Sequence, residues 1–423
     1  MKLHHKIEIG IIIVLIILPL VYLIYDRSLI PPATEYHSPP YVPGETWEQY
    51  ATRFLESSKQ PNALEHYLKA FSLYTSEPVS LASYEIDSIL KFEWTQPYPK
   101  AEEALRLNQP ALDELIRGAR MKQCELPPAY EGFGFPYPDY NEISGMNRLL
   151  ITAGKKMEKT NHPRIALEYY LAGLQFGNDI AQKDQIIFFQ AIGLGSIRMM
   201  NYQIRKLITQ QKLLQSDYQS IIIDFGRIDQ KHSSFGEAFK CDRRIFYTRL
   251  YHATAEPFKD TKEFGFLTSV YIFFNRGKIL QTNQNFSAEL LSAITTKSYQ
   301  DFMHIEWNKK WPKDLINRTI CHIHFSDYAY NRITISSLRL AQIEAAIQIS
   351  RLEKKRWPKG LNDLKPYVSP IPVDPFDDKP FLWAMDSTSK PFAYSVGPDF
   401  KDDAAKITYD PTNGTTSKGD IIP

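Results

Sequence analysis

The residues most able to do chemistry are a few histidines, cysteines and acids in the second half of the chain. A Cys-His-Ile-His run begins at Cys321 and places Cys321 and His324 on one face of a predicted helix, with His304 and Glu306 upstream. Thiolate and imidazole groups bind zinc, so a zinc site can be drawn from them, but no second Cys/His pair at a standard spacing completes it. Core or surface histidines are the alternative explanation.

Hydrolytic chemistry would need residues that are distant in sequence. The segment after His232 lacks the Gly-x-Ser-x-Gly nucleophile elbow, and no glycine loop of the phosphate-cradling type occurs. A cleft that gathers His232, Asp242, His252 or His304 would favour a periplasmic, membrane-anchored hydrolase. A continuous helical groove with aromatic lining would favour binding instead. The sequence alone predicts no catalytic and no cofactor-binding residue.

Charge and cysteine content restrict the possible partners and cross-links. The formal net charge is +2, which gives no support for nucleic-acid binding. The three cysteines, Cys124, Cys241 and Cys321, allow at most one disulfide within the chain, and the sequence does not choose the pair. One bridge with one buried thiol and three buried thiols both remain open.

An uncharged apolar run over residues 9–25 predicts the location of the chain. Its length is near the lower end of the ~17 to 25 residues that cross a bilayer as a helix. Lys2 and Lys6 precede it and favour a cytoplasmic N-terminus. We therefore expect a single-pass inner (cytoplasmic) membrane protein whose bulk is extracytoplasmic or periplasmic. A cleaved signal peptide is the alternative, although small residues at the cleavage-site spacing are missing.

Prolines crowd the segment after this run and disfavour a helix there. They predict an extended stalk that separates the folded part from the bilayer. The expected organisation is a cytoplasmic tip and transmembrane anchor over residues 1–27, a Pro-rich stalk over 28–44, a helical domain over 45–327 and a C-terminal module over 328–423.

Helical patterning dominates the middle of the chain. Two segments that begin at Ala63 and Ala166 share Ala-Leu-Glu-x-Tyr-Leu, followed by small and then large apolar residues. Such spacing lets two helices pack closely, and the pattern resembles one helix of a tetratricopeptide (TPR) hairpin. Because the motif is visible only twice, the resemblance implies an irregular helical-hairpin domain rather than a regular array. Two unrelated amphipathic helices are the alternative.

Two further segments shape the expectations for the helical domain. Residues 186–200 predict a buried core helix, with Gly193 and Gly195 permitting close packing; the segment is too short between its charges for a second membrane span. The Cys-x-x-Pro loop at 124–127 leads into an aromatic, glycine- and proline-rich loop at 132–138. Its rings either bind a ligand or pack into grooves between helices.

Residues 328–354 give the strongest single helix prediction. Leu338, Ala341, Ala345, Ile349 and Leu352 recur at helical spacing on one face. A proline at 358 ends the helix. Short strands and acidic turns follow, marked by Asp-Pro-Phe at 374–376 and Tyr-Ser-Val-Gly-Pro-Asp at 394–399.

This order resembles the soluble part of the major pseudopilin of type II secretion: a helix, a Leu-x-x-Leu step at Leu361, an Asp-Pro-aromatic turn and a Tyr-Ser-x-Gly-x-Asp strand and loop. Together with residues 105–229, it makes the chain similar to uncharacterised, membrane-anchored envelope proteins of bacteria. The prepilin processing signal is absent, so the resemblance implies a module reused on another carrier. The expected fold class is mainly α: a transmembrane helix, a TPR-like domain and a small α+β pseudopilin-like module.

The resemblance also implies a metal site. In pseudopilins the final acidic loop often binds calcium, and its counterpart here is residues 399–420. Carried over by position, Asp399 and Asp402 are the first candidate ligands and Asp403 and Asp420 the next. Phe400 departs from the family, which tends to have glycine there. A solvated acidic turn without an ion is the alternative.

These features predict a non-enzymatic, extracytoplasmic scaffold or interaction protein of the bacterial cell envelope. A link to type II secretion or pilus-like assemblies is implied by the resemblance. The expected partners are the membrane, through residues 9–25, and a further protein, with no nucleic acid. Calcium is the one cofactor implied.

Overall fold

The fold is mainly α-helical with a small two-stranded sheet near the C-terminal end, as the sequence predicts. It was determined as a computed structural model that describes residues 18–30, 42, 44–58, 60–121, 123–128, 138–182, 185–210, 213–231, 234–255, 266–313, 317, 325–410 and 417–422. The helices up to residue 231 are α1 (Leu18–Ser28), α2 (Trp47–Ser57), α3 (Ala63–Leu73), α4 (Ser76–Leu81), α5 (Ser83–Phe92), α6 (Pro99–Ala119), α7 (Tyr140–Lys159), α8 (Pro163–Ile180), α9 (Ile187–Gln210) and α10 (Gln215–Lys231). After them come α11 (Phe235–Ala253), α12 (Phe266–Thr296), α13 (Tyr299–Met303), α14 (Trp307–Lys310), α15 (Phe325–Lys354), a 3₁₀ turn (Leu361–Leu364), β1 (Leu382–Met385) and β2 (Pro391–Tyr394).

Several helices begin at residues with ordinary capping chemistry. A capping box starts α2, where the Thr46 hydroxyl accepts from the Gln49 amide at 3.3 Å and the Gln49 side chain accepts from the Thr46 amide at 2.9 Å. The Asp139 carboxylate accepts from the Asn141 amide at 2.8 Å and starts α7. Pro163 opens α8 with a fixed φ and no amide hydrogen to satisfy.

The two sequence-related segments make equivalent contacts. Tyr67 of α3 and Tyr170 of α8 hold the same position in the shared motif, and each ring lies on a glycine of another helix. A Cβ at Gly118 of α6 would come within 2.6 Å of the Tyr67 ring, and one at Gly154 of α7 within 2.2 Å of the Tyr170 ring. Glycine is therefore required at both crossings because the helices approach too closely for a side chain.

The predicted core helix over 186–200 is the first part of α9, which packs between α8 and α15. Gly193 contacts the carbonyl of Gly177 on α8 and makes the close approach possible. Gly195 behaves differently from the prediction, since nothing lies within 4 Å of where its Cβ would be. It faces open space because it is on the other side of the helix.

The strongest sequence prediction, a helix over 328–354, is confirmed by α15. Leu338, Ala341, Ala345 and Ile349 are all buried in the core that unites α2–α10 with α15. Leu352, the last member of the predicted stripe, is 40% exposed because it lies beyond the end of the packed surface.

The C-terminal segment is built on a β-hairpin. β1 and β2 pair antiparallel with Leu382 opposite Tyr394, and an isolated bridge between Ser395 and Ile421 brings the end of the chain back to the hairpin. Their buried residues join those of α11, α12, α13 and α15 in a second hydrophobic core.

Aromatic side chains form the contact between this segment and the helices. The Tyr299 ring lies 5.4 Å from Phe376, 5.6 Å from Phe400 and 5.1 Å from Tyr328, measured between ring centroids. Phe302 stacks edge-on against Tyr328 at 4.9 Å. The hairpin segment and the helical region therefore share one aromatic cluster rather than meeting at a hydrated boundary.

The predicted location requires a correction. Residues 9–17 of the expected span lie outside the described residues, and the rest of it falls in α1, which has 11 residues. Across the described ranges, from residue 18 to residue 422 with their gaps, no helix is long and apolar enough to cross a membrane. The prediction of a single-pass inner-membrane protein with a transmembrane helix is contradicted by this finding, since a span needs ~17 residues or more.

Other predictions fall where the structure gives no description. They concern the stalk prolines at 31, 32, 39, 40 and 43, the aromatic loop at 132–137, and the zinc candidates Cys321 and His324. Cys124 and Cys241 are not joined in a disulfide.

Candidate functional site

Three of the acidic residues predicted to bind calcium accept hydrogen bonds within the final loop and, in one case, from β2. Asp399 accepts from the amide of Lys401 at 3.2 Å through Oδ1 and from that of Gly419 at 3.3 Å through Oδ2. The Oδ1 atom of Asp402 accepts from the Ala404 amide at 2.7 Å and from the Tyr394 hydroxyl at 3.0 Å. Both carboxylates therefore hold the loop in shape.

Asp420 is the most deeply placed of these acids. Its Oδ2 accepts from the Ala405 amide at 2.8 Å and its Oδ1 from the Asp403 amide at 3.5 Å. Burial raises the pKa of the Asp420 carboxyl, and the nearby charges of Asp402 and Asp403 raise it further. Within the described part of the chain, no group of three or more His, Cys, Asp or Glu side chains is arranged to hold a metal ion. The calcium site stays a prediction from the resemblance.

Backbone strain is concentrated in the same loop. Phe400, Ala404 and Ala405 have φ values of 61°, 55° and 57°, a left-handed conformation that favours glycine and costs ~1–2 kcal/mol for other residues. The Phe400 ring packs against Tyr299, a contact that glycine could not make.

A second acid connects the two sequence motifs of this segment. The Asp374 carboxylate accepts from the Phe376 amide and from the Val396 amide, each at 3.1 Å. It thereby ties the Asp-Pro-Phe turn to the segment directly after β2. Burial raises the pKa of Asp374 to about 6.

Two of the residues proposed for a hydrolytic cleft, Asp242 and His304, have separate surroundings. Asp242 forms an ion pair with Arg243 on α11 at 3.1 Å. His304 is exposed and lies 6.4 Å from Phe400 between ring centroids. His232 and the side chain of His252 lie outside what the structure describes.

An open pocket of about 290 Å³ lies where α9, α15 and the β-hairpin meet. We call it the junction groove. It is lined mainly by apolar surface, with Ile208 of α9 and Ile347 of α15 as its buried floor. Phe392 of β2 and Ile422 form the opposite wall. Apolar concave surface of this kind is typical of places where a ligand or a partner side chain binds.

A buried ion pair fixes one wall of the junction groove. Arg205 of α9 donates from Nε to both carboxylate oxygens of Glu344 on α15, at 3.0 and 3.1 Å, and from Nη2 at 2.5 Å. The two side chains are only 12% and 7% exposed. Because the bond is forked and dehydrated, it sets the separation of α9 and α15.

The rim of the groove carries charge from the turn between β1 and β2. Asp386 is occupied by its own turn: its Oδ1 accepts from the Thr388 amide at 2.8 Å, from the Thr388 hydroxyl at 2.7 Å and from the Lys390 amide at 2.9 Å. Lys390 also lines the groove. The groove thus combines an apolar floor with a rim that carries one acid, Asp386, and one base, Lys390.

Sequence reasoning did not find the junction groove, because its walls come from three distant stretches around residues 208, 347 and 392. None of them carries a motif. The available signal was weak: Ile347 lies on a predicted helix and Phe392 on a predicted strand, while Ile208 lies beyond the core helix predicted over 186–200.

Comparison with protein-family models, with curated proteins and with solved structures finds no match.

Proposed function

We propose that this protein is a non-enzymatic interaction scaffold that binds a segment of a partner protein in the junction groove. The observation that carries the proposal is the groove itself, in which the half-buried Phe392 and Ile422 supply accessible apolar surface above the buried Ile208 and Ile347. A partner side chain that enters it removes apolar surface from water on both sides, which is the main favourable contribution to such binding.

The helical region supports the scaffold interpretation. The placement of Tyr67 on Gly118 and of Tyr170 on Gly154 is the small-against-large packing expected of TPR-like hairpins. We therefore interpret α7 with α8 as an irregular hairpin of this type, and α3 with α6, which are separated in sequence by α4 and α5, as a helix pair packed in the same way. Helix pairs of this kind commonly present concave surfaces to other proteins.

We also interpret the C-terminal segment as a pseudopilin-like module. In support, Asp374 joins the Asp-Pro-Phe turn to the segment directly after β2, which gives both sequence motifs a structural reason. On this basis a component of a type II secretion or pilus-like assembly is the first kind of protein to test as a partner.

The charges around the groove define the chemistry of the partner. Glu344 is already paired with Arg205, while Asp386 keeps its negative charge and its Oδ1 atom is occupied by donors of its own turn. Lys390 remains as the cation at the rim. The best-fitting partner segment carries one or two large apolar side chains followed by an acidic residue that faces Lys390.

Selection of peptides from a random library on the full chain tests this directly. We expect the enriched peptides to contain apolar anchors next to Asp or Glu. Their affinity, measured by fluorescence anisotropy, should fall about tenfold or more with Phe392→Asp, because an anchor would then meet a charge. Lys390→Glu should weaken the acidic peptides and strengthen versions in which the acid is changed to lysine.

Met385→Asp is the matched control, since Met385 belongs to the same hairpin but is 52% exposed and does not line the groove. Circular dichroism of each variant checks the fold. The proposal is wrong if the selected peptides bind Phe392→Asp as tightly as the parent chain, or if Met385→Asp weakens them equally.

A further inference from the structure

Helix α12 is broken about a third of the way along its 31 residues. At Asn275 the backbone has φ −120° and ψ 20°, outside helical values, and two helical parts of unequal length, which we call its first and second halves, meet there. A break of this kind exposes the carbonyls that end the first half and the amides that begin the second. Unless other groups bind them, such a break is unfavourable in a partly buried helix.

The Asp26-Arg27 pair of α1 supplies those groups. Asp26 is 1% exposed, and its carboxylate accepts from the amide of Gly277 at 2.8 Å and from that of Lys278 at 2.9 Å. Arg27 donates from Nη2 to the carbonyl of Phe273 at 2.9 Å. The acid thus meets the amide end of one half-helix and the base meets the carbonyl end of the other, each with the charge that the local dipole favours.

Asp26 and Arg27 bind the two backbone groups that would bond to each other in an unbroken helix. In a continuous helix the amide of Gly277 would bond to the carbonyl of Phe273, four residues earlier. In the structure Asp26 accepts from the first of these groups and Arg27 donates to the second. Two neighbouring residues of α1 therefore take the place of both partners in one helical hydrogen bond.

Further contacts fit α1 to the break. The Tyr22 hydroxyl donates to Oδ1 of Asn275 at 2.8 Å, while Nδ2 of Asn275 donates to the carbonyl of Tyr271 at 3.0 Å. At Gly277 a Cβ would lie 1.6 Å from the backbone oxygen of Asp26, so only glycine allows this approach. Side chains of both helices are thus matched to the broken form.

We propose that the Asp26-Arg27 pair is a clamp that holds α12 in its broken form, and that α12 becomes a continuous helix when α1 is released. The second half of α12 carries Phe286 and Leu290 into the core that it shares with the hairpin segment. Docking of α1 therefore sets the direction of the half-helix on which that segment rests.

Distances between two nitroxide labels in the full chain test the proposal. Leu267 and Ala288 lie on either side of the break and are exposed, and each can be replaced by a keto-amino acid that carries the label, which leaves the native cysteines in place. In a straight helix these positions are about 32 Å apart, since each residue rises ~1.5 Å. We expect a shorter distance in the parent and an increase toward that value in Asp26→Ala/Arg27→Ala.

Gly277→Ala provides a second route to the same state, because its methyl group excludes α1 without removing either charge. Leu20→Ala is the control: Leu20 is on α1 and is 54% exposed, and we expect no change. An unchanged distance in Asp26→Ala/Arg27→Ala would overturn the clamp, as would an equal increase in Leu20→Ala. If the double variant loses helical circular dichroism, Gly277→Ala decides the question by the same criterion.

Discussion

Two helical glycines with opposite surroundings allow a sharp test of the packing between α7 and α8. Gly154 lies under the Tyr170 ring, where a Cβ would be 2.2 Å from Cε1 and 2.5 Å from Cζ. Gly195 is equally internal to its helix, but nothing lies within 4 Å of its Cβ position. We expect Gly154→Ala to destabilise the protein and Gly195→Ala to stabilise it.

The expected change in the free energy of unfolding for Gly154→Ala follows from three contributions. Alanine is favoured over glycine inside a helix by ~1 kcal/mol, and this gain applies to both variants. At Gly154 the ring of Tyr170 is fully buried and must move, which as overpacking costs ~1–3 kcal/mol. The movement also disturbs the 2.5 Å hydrogen bond from the Tyr170 hydroxyl to Glu158, and such a bond to a charged group is worth ~1.5–3 kcal/mol. The net loss at Gly154 is about 2 to 4 kcal/mol.

Urea unfolding followed by circular dichroism measures both free energies under the same conditions. The difference between the two variants should be about 3 to 5 kcal/mol, with the helix propensity cancelling. Tyr170→Phe in the parent reports the hydroxyl contribution separately. If Gly154→Ala were as stable as Gly195→Ala, the close approach of α7 and α8, and with it the small-against-large interpretation of the repeated motif, would be refuted.

Three further predictions concern other parts of the chain. Ala404→Gly should leave the free energy of unfolding unchanged or raise it by up to ~1 kcal/mol, because φ is positive at Ala404. Phe400→Gly should lower it, because the ring contact with Tyr299 is lost. Thermal melts of both variants measure the difference. Burial raises the pKa of Asp179 to about 6, well above its value of ~3.9 in an unfolded chain. Folding therefore favours the protonated form of Asp179. As the pH rises from about 4 to about 6, the free energy of unfolding should fall by on the order of 3 kcal/mol. Urea titrations across that range should show a smaller fall for Asp179→Asn. Arg205→Ala should lower the free energy of unfolding in urea by ~3–5 kcal/mol, because it leaves Glu344 buried and unpaired. Adding Glu344→Leu should recover most of that loss. If it does not, the packing of the arginine side chain rather than the ion pair is responsible.

Local patterns were sufficient for some elements of the fold. The apolar stripe from Leu338 to Ile349 predicted α15, and the proline at 358 correctly placed its end. The repeated motif predicted helices at α3 and α8, and the structure adds the reason for its tyrosine, which needs a glycine on a neighbouring helix. These signals succeed because the spacing of side chains along one helix is fixed by its own geometry.

Features that depend on distant pairs were not predictable in the same way. Asp26 and Gly277 are 251 positions apart. From sequence alone, an acid at the end of an apolar run is interpreted as the end of a helix, because its distant partner is not visible. Gly195 carried the same sequence signal as Gly193 but faces open space. The acids of the final loop illustrate a third case, since carboxylates that could bind an ion also suit the capping of backbone amides.

The aromatic cluster around Tyr299 has a practical consequence for anyone who wishes to dissect this molecule. Cutting the chain at residue 357 would uncover Tyr299, Phe302 and Tyr328 on one fragment and leave Phe376 and Phe400 without cover on the other. Both fragments would then expose an apolar surface that is buried in the intact protein, and each would tend to aggregate. The C-terminal segment is therefore not an independently folding domain. Its role is better studied by single substitutions in the whole chain than by truncation.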